Sequence, residues 1–319
     1  MLFRSVGTDA NAVPITTSSV LTGPAIEPAE PAREAKPVDA ESKSSTAPAA
    51  PPAPETKPAD AETKIITPAK PPNAGTRSLI RSLGLKLSRV VIDAGHGGHD
   101  TGTMGPSGYA EKELVLDVAT RLKQLIETGL GAEVVMTRSD DSFVPLEART
   151  AIANQQASDL FISIHANSSR VQSVRGVETF FLNFTSSREA LETASRENAA
   201  SERTIHELQD LVKKIMLRDK VEESREFAEH IQRAMAGRKG SGADRGVKQA
   251  PFVVLIGANM PSILAEICFI SNPQEERLIK TAQHRQAIAE SLFEGVRSYA
   301  ESLSGLKTAE KQDKDSALK

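Results

Sequence analysis

Between residues 85 and 304 the chain alternates two apolar patterns. Short continuous runs make up the first: Val90-Val91-Ile92, then AEVVMT, DLFISIHA, GVETFFLN, FVVLIG and PSILAEICFI. Such runs leave no face for water, so each predicts a strand covered on both sides. The second pattern has helical spacing, with Leu114, Val115, Val118, Leu122 and Ile126 on one face. PLEARTAIANQQA predicts another helix with Pro145 at its start, and residues 273–303 read as helical again. The alternation predicts an α/β domain with a mostly parallel or mixed central sheet of about six strands, covered by helices. One stretch departs from the plan. Residues 186–237 are helical in pattern throughout and form an insertion.

Composition separates the ends from this domain. Residues 1–84 hold 13 of the 18 prolines. The run STAPAAPPAPETKPADAETKIITPAKPP has almost no large apolar side chains, so burial cannot offset the entropy of ordering it. Residues 1–84 therefore predict a disordered Pro/Ala-rich linker or tail. The folded domain is expected over 85–304, followed by a charged tail at 305–319. A net charge of −3 and the absence of Trp argue against nucleic acid, which needs cations and stacking aromatics. The single cysteine, Cys268, excludes an internal disulfide and a cysteine-built zinc site. Within ILAEICFI it reads as an inert core thiol. Apolar runs are all too short for a transmembrane segment. The start, MLFRSVGTDANAVPITTSSVLTGPAI, lacks the basic-then-apolar order of a signal peptide.

The candidate chemistry lies at strand ends. The first strand runs into Asp93-Ala94-Gly95-His96-Gly97-Gly98-His99-Asp100, and the third into His165-Ala166-Asn167. In open α/β sheets the carboxyl ends of strands line the ligand crevice, so His96 and His165 can face one point. Glu111 opens the following helix and Glu113 comes two residues later. Two imidazoles and one carboxylate suit a catalytic zinc with a fourth position left for water. Glu266 interrupts the last apolar strand, where a carboxyl is costly without a purpose, and is a candidate general base. Taken singly, each residue also has a plain structural reading: a hydrogen-bonded histidine, an acid on a helix dipole, a paired buried carboxyl.

The matching segments point further. VVIDAGHGGHDTG, EKELVLDVATRL, VVMTRSDDSFVPLEARTAIAN, DLFISIHAN, RGVETFFLN and SILAEICFISNPQEE occur in one order from Val90 to about Ala300. In them the chain resembles the zinc-dependent N-acetylmuramoyl-L-alanine amidases of the amidase-3 type. The resemblance implies a hydrolase that cuts the amide between N-acetylmuramic acid and L-alanine in peptidoglycan. It implies one Zn2+ held by His96, Glu111 and His165, with Glu266 as the catalytic glutamate, and leaves Glu113 on the surface. His99 is expected to be a bystander. Asp93 and Asp100 can orient the ligand loop, Asn167 can position substrate or hold its loop, and Arg149 is expected to pair with an acid. The Ile267-Cys268 pair after Glu266 departs from the small residues usual in the family.

The insertion carries a regulatory expectation. Ile205, Leu208, Leu211, Val212, Ile215 and Met216 share one helical face, which either packs on the domain or docks a partner. Septal amidases of the family carry a helical insertion here that blocks the site until an activator protein binds. The resemblance makes Glu202, Glu207 and Asp210 the candidate autoinhibitory acids, and His206 and His230 non-ligands. It also implies a peptidoglycan substrate, a role in cell-wall remodelling or daughter-cell separation, and a periplasmic or extracellular location. The competing readings are another zinc peptidase on the same scaffold, a non-catalytic peptidoglycan-binding module, and a structural metalloprotein closed by a fourth protein ligand.

Overall fold

A computed structural model of the chain describes residues 86–201, 204, 207–208, 212 and 218–317. The Pro-rich region 1–84, Glu202, Asp210 and His206 lie outside the described residues. Six strands form one sheet: β1 (Arg89–Ala94), β2 (Glu133–Met136), β3 (Leu160–Asn167), β4 (Val177–Leu182), β5 (Asp244–Ala250) and β6 (Ser262–Phe269). The helices are α1 (Glu111–Leu130), α2 (Leu146–Gln155), α3 (Arg188–Glu197), α4 (Arg218–Gly237), α5 (Pro273–Ile279) and α6 (Ala282–Ala317). Helix α6 runs on through 305–317, which the sequence reads as a charged tail.

The strand order is β2-β1-β3-β6-β4-β5. All neighbours are parallel except β4 and β6, which pair antiparallel. The carboxyl ends of β1, β3 and β6 therefore share one edge of the sheet, and the amino end of β4 joins them there. Both faces are covered, which explains the unbroken apolar runs. Val90, Ile92, Ile162, Ile263 and Ala265 point to a core shared with α1, α4 and α6. Val91, Phe161, Phe180 and Leu264 point the other way, against Leu146, Ala190, Ala194 and Val253–Leu255. Neighbouring side chains on each strand thus enter opposite cores.

One predicted strand is wrong. FVVLIG forms a 3-10 turn at Val253–Leu255, and the fifth strand is the polar stretch Asp244–Ala250. Val253 to Leu255 are buried against α2, and the Val253 amide is taken by Asn198 Oδ1, just past α3, at 2.8 Å, so the run spends its apolar atoms as a plug. Strand β5 is an edge strand with mostly half-exposed residues, and needs no apolar run.

The loop after β1 hangs on a buried ion pair. Asp93, fully buried, accepts from Thr137 Oγ1 at 2.6 Å, Ser163 Oγ at 2.7 Å and Arg149 Nη1 at 2.8 Å. Burial opposes ionisation of Asp93, but Arg149 and the two hydroxyls hold its pKa below the usual range. Arg149 also donates to the carbonyls of Ala94, His96 and Val144, tying α2 to the loop after β1. Leaving Asp93 buried without its cation is expensive, so Arg149→Met is expected to lower unfolding stability by about 3–5 kcal/mol. Urea denaturation measures this; a loss under about 1 kcal/mol would contradict the pair's role.

Candidate metal centre

The loop after β1 turns sharply at His96, which has a left-handed φ of 60° between Gly95 and Gly97. A non-glycine residue there is strained, and the Arg149 bond to its carbonyl helps to hold it. Gly95 has a different task. A Cβ on it would lie 2.4 Å from the His165 ring, so only glycine lets β3 deliver that imidazole here. A Cβ on Gly102 would likewise meet His96 at 2.6 Å and Glu111 at 2.7 Å.

His96, Glu111 and His165 meet at the sheet edge, joined by Glu197 from the end of α3. One ligand atom from each lies within 4.8 Å of all the others, and all four residues are buried. The imidazoles meet edge to face with ring centroids 4.8 Å apart. Glu111 Oε1 is 3.1 Å from His96 Nε2 and 3.3 Å from His165 Nδ1. Glu197 Oε2 is 3.3 Å from His96 Nε2 and 2.9 Å from His165 Nδ1.

Outer contacts fix each group. Asp100 Oδ2 stands 3.0 Å from His96 Nδ1, leaving Nε2 for the centre. Glu111 accepts from the amides of Ala166 at 2.8 Å and Thr103 at 2.9 Å. On the inner side, His96 Nε2, His165 Nδ1 and Glu197 Oε2 are buried without a hydrogen bond of proper geometry. Three buried lone-pair atoms aimed at one point are costly unless a cation satisfies them. The donor set of two imidazoles and carboxylates fits one divalent ion.

The charges agree with this. Burial alone would depress the imidazolium of His96, yet Glu111, Asp100 and Glu197 hold its pKa well above the usual value. Glu111 is held low by His96 and His165 against its own burial, and Glu197 by His165 in the same way. The pocket is built for carboxylates facing positive charge. Glu266 is the opposite case. It is fully buried on β6, directly across from His165 on β3, and neither of its oxygens has a hydrogen-bond partner among the described residues. Burial, reinforced by Glu197, Glu111 and Glu178, raises its pKa well above the carboxylate range. Just past Glu266 the β3–β6 register shifts, accommodating one extra residue of β6 at the Ile267-Cys268 departure. Cys268 is buried and its thiol is pushed up by burial.

The remaining candidates fall outside the centre. Glu113 is exposed, and exposed His99 packs on Phe143 at 4.2 Å. His230 faces Ser298 Oγ at 2.9 Å. Asn167 is buried and bridges two elements, donating to Glu178 and accepting from Arg196 of α3. Among the autoinhibitory candidates, Glu207 is exposed and accepts from the Thr204 amide at 2.8 Å, so it is not the acid at the centre. That acid is Glu197, which the sequence reading missed. A signal existed: Ala190, Ala194 and Glu197 recur at helical spacing on the buried face of α3. An acid on an apolar stripe asks for a buried partner. Of the insertion's apolar face, Leu208 and Val212 are buried, and the other four residues lie outside the described ones.

Fold and centre together define an α/β protein with a buried group of side chains, able to hold a cation, at the carboxyl ends of its parallel strands. Comparison with known proteins makes the class specific. The family model for N-acetylmuramoyl-L-alanine amidase, Amidase_3, matches residues 90–298, and the chain belongs to that family. It is 38% identical over 219 residues to the amidase AmiA of Escherichia coli strain K12, covering 66% of this chain and 75% of that protein. It is 36% identical over 225 residues to the amidase AmiC of Escherichia coli O6:H1 strain CFT073. There the match covers 66% of this chain and about half, 52%, of the relative. The crystal structure of the amidase from Clostridium difficile 630 superposes with a TM-score of 0.54 at 28% identity, covering 68% of this chain and 99% of that one.

Because Asp100 fixes the His96 ring, Asp100→Asn is expected to weaken metal affinity about 10–100-fold while the fold is kept. Calorimetric titration of metal-stripped protein with zinc measures it, with one site per chain in the parent. Unchanged affinity would show that the Asp100 contact does not orient the ligand.

Proposed function

We propose that this chain is a zinc-dependent N-acetylmuramoyl-L-alanine amidase that cuts the amide between N-acetylmuramic acid and the first L-alanine of the stem peptide. The observation that carries this is a buried, unpartnered carboxyl, Glu266, paired across strands with one of two imidazoles that converge on Glu111. His96, Glu111 and His165 would hold the ion. When bound, zinc supplies Lewis-acid chemistry, acidifying water and drawing electrons from the scissile carbonyl.

The other steps belong to side chains. Glu266 takes the proton of the attacking water and gives it to the nitrogen of the departing L-alanine. Burial and the neighbouring carboxylates Glu197, Glu111 and Glu178 keep its pKa high, which favours its taking up a proton. Asp93 and Arg149 keep the His96 loop in place, and Glu111 is oriented by the Ala166 and Thr103 amides.

Glu197 makes this arrangement a closed one. Its Oε2 lies 2.9 Å from His165 Nδ1 and 3.3 Å from His96 Nε2, in the space between the imidazoles, and Arg196 beside it is bonded to Asn167. The family resemblance and this contact support autoinhibition by α3, relieved when an activator protein draws the insertion away. Residues 85–304 are read as the catalytic domain and 1–84 as a linker, a reading that their composition supports. Among the described residues no helix is long and apolar enough to cross a membrane. A peptidoglycan substrate supports a working compartment in the periplasm or outside the cell.

A structural metal site closed by Glu197 is the second reading, favoured by the fourth ligand group alone. It gives no purpose to Glu266. The two readings part on substitution. Glu266→Gln is expected to lower stem-peptide release from peptidoglycan about 10²–10⁴-fold with unchanged metal content and melting temperature. Retained release would end the amidase mechanism. Glu197→Ala is expected to raise the basal rate by about ten-fold, the factor by which a closed state held ten to one suppresses turnover. Mass spectrometry of released peptides reads both, and a fall in rate with loss of metal in Glu197→Ala would favour the structural reading.

A further inference from the structure

The sheet edge that carries the metal centre carries a second charged cluster. Glu178, near the start of β4, lies opposite Glu266 in the antiparallel β4–β6 pair and is fully buried. Its Oε2 accepts from Arg245 Nε at 3.0 Å and Lys248 Nζ at 2.6 Å, both on β5. Two cations against one carboxylate leave one positive charge over. Glu189, in the first turn of α3, meets that surplus. Its Oε1 contacts Arg245 Nη2 and stands 3.2 Å from Lys248 Nζ. The two cations do not depend on Glu189 for their position. Arg245 lies over the Phe269 ring at 5.0 Å and Lys248 over Phe180 at 5.9 Å. Both keep partial access to solvent, with side-chain exposures of 23% and 20%.

Glu189 and Glu197 are therefore two acids on one helix, each filling a site on the body of the domain. Eight residues separate them, a rise of about 12 Å. The sheet gives a similar span, since β5 is three strands from β3 at about 4.8 Å each, or roughly 14 Å. An extended peptide covers about 3.3 Å per residue. A stem peptide whose scissile carbonyl lies where Glu197 now sits covers that span in about four residues, so it reaches the two cations with a side-chain carboxylate of its third residue or a carboxylate of its fourth. An Arg and a Lys side by side, held on aromatic rings, suit such a carboxylate.

We propose that Arg245 and Lys248 form a subsite for a free carboxylate of the stem peptide, and that Glu189 fills this subsite in the closed arrangement while Glu197 fills the metal centre. The inference rests on the amidase reading. Helix α3 then closes the enzyme by presenting anions at both places the substrate must occupy, and an activator that lifts it uncovers both together.

The test uses the full chain carrying Glu197→Ala, so that cleavage is not limited by closure. Two soluble muropeptides are compared, alike except that the stem carboxylates are free in one and amidated in the other. The parent is expected to show a kcat/KM about ten-fold higher on the free-carboxylate substrate, carried mainly by KM, as for one hydrogen bond to a charged group. Adding Lys248→Met, or in a second variant Arg245→Gln, is expected to bring the free-carboxylate substrate to within about two-fold of the amidated one. Equal rates on both substrates in the parent overturn the subsite. So does an equal fall on both substrates with the preference intact, the mark of a structural role. Cleavage of neither substrate by the parent overturns the amidase reading itself, and so the two failures are told apart.

Discussion

The meeting of Glu111 with two imidazoles is the contact on which the rest of the site depends. Glu111 is fully buried, at the first position of α1, and one of its oxygens stands within 3.3 Å of both rings. A carboxylate in that position is tolerable only because positive charge surrounds it and two amides orient it. The geometry around it follows. Gly95 must be small so that His165 can enter, Gly102 so that His96 and Glu111 can lie together, and the buried Asp93–Arg149 pair must hold the turn. A strained backbone at His96 is thus anchored by some of the most buried polar contacts in the domain.

Much of this was legible in the sequence because the fold reports its own rules. Strands covered on both faces must be apolar without interruption, and five of the six strands were visible as such runs. The two histidines were visible because they end those runs. Glu266 was visible because it breaks one. The failures share a cause, which is that tertiary contacts decided them. Strand β5 is polar because it lies at the sheet edge, whereas Val253–Leu255 is apolar because it plugs the core against α2. Glu197 was overlooked because its partners come from β1 and β3, and the attention given to Glu202, Glu207 and Asp210 rested on their place in the insertion alone.

Acids on α3 connect the fold to control. Glu197 lies among ligands and Glu189 among cations, and Arg196 holds Asn167, which in turn holds Glu178. The contacts of α3 with the body of the domain are therefore electrostatic at both ends of one short helix, while Ala190 and Ala194 supply its apolar seat.

The central claim is that His96, Glu111 and His165 bind one metal ion at the end of the parallel strands. Crystals of the full chain, measured on both sides of the zinc absorption edge, test it directly. One anomalous peak is expected, about 2.0–2.2 Å from His96 Nε2, Glu111 and His165 Nδ1. A zinc-loaded crystal with no peak among those three residues, or with its ion held elsewhere, would contradict the account.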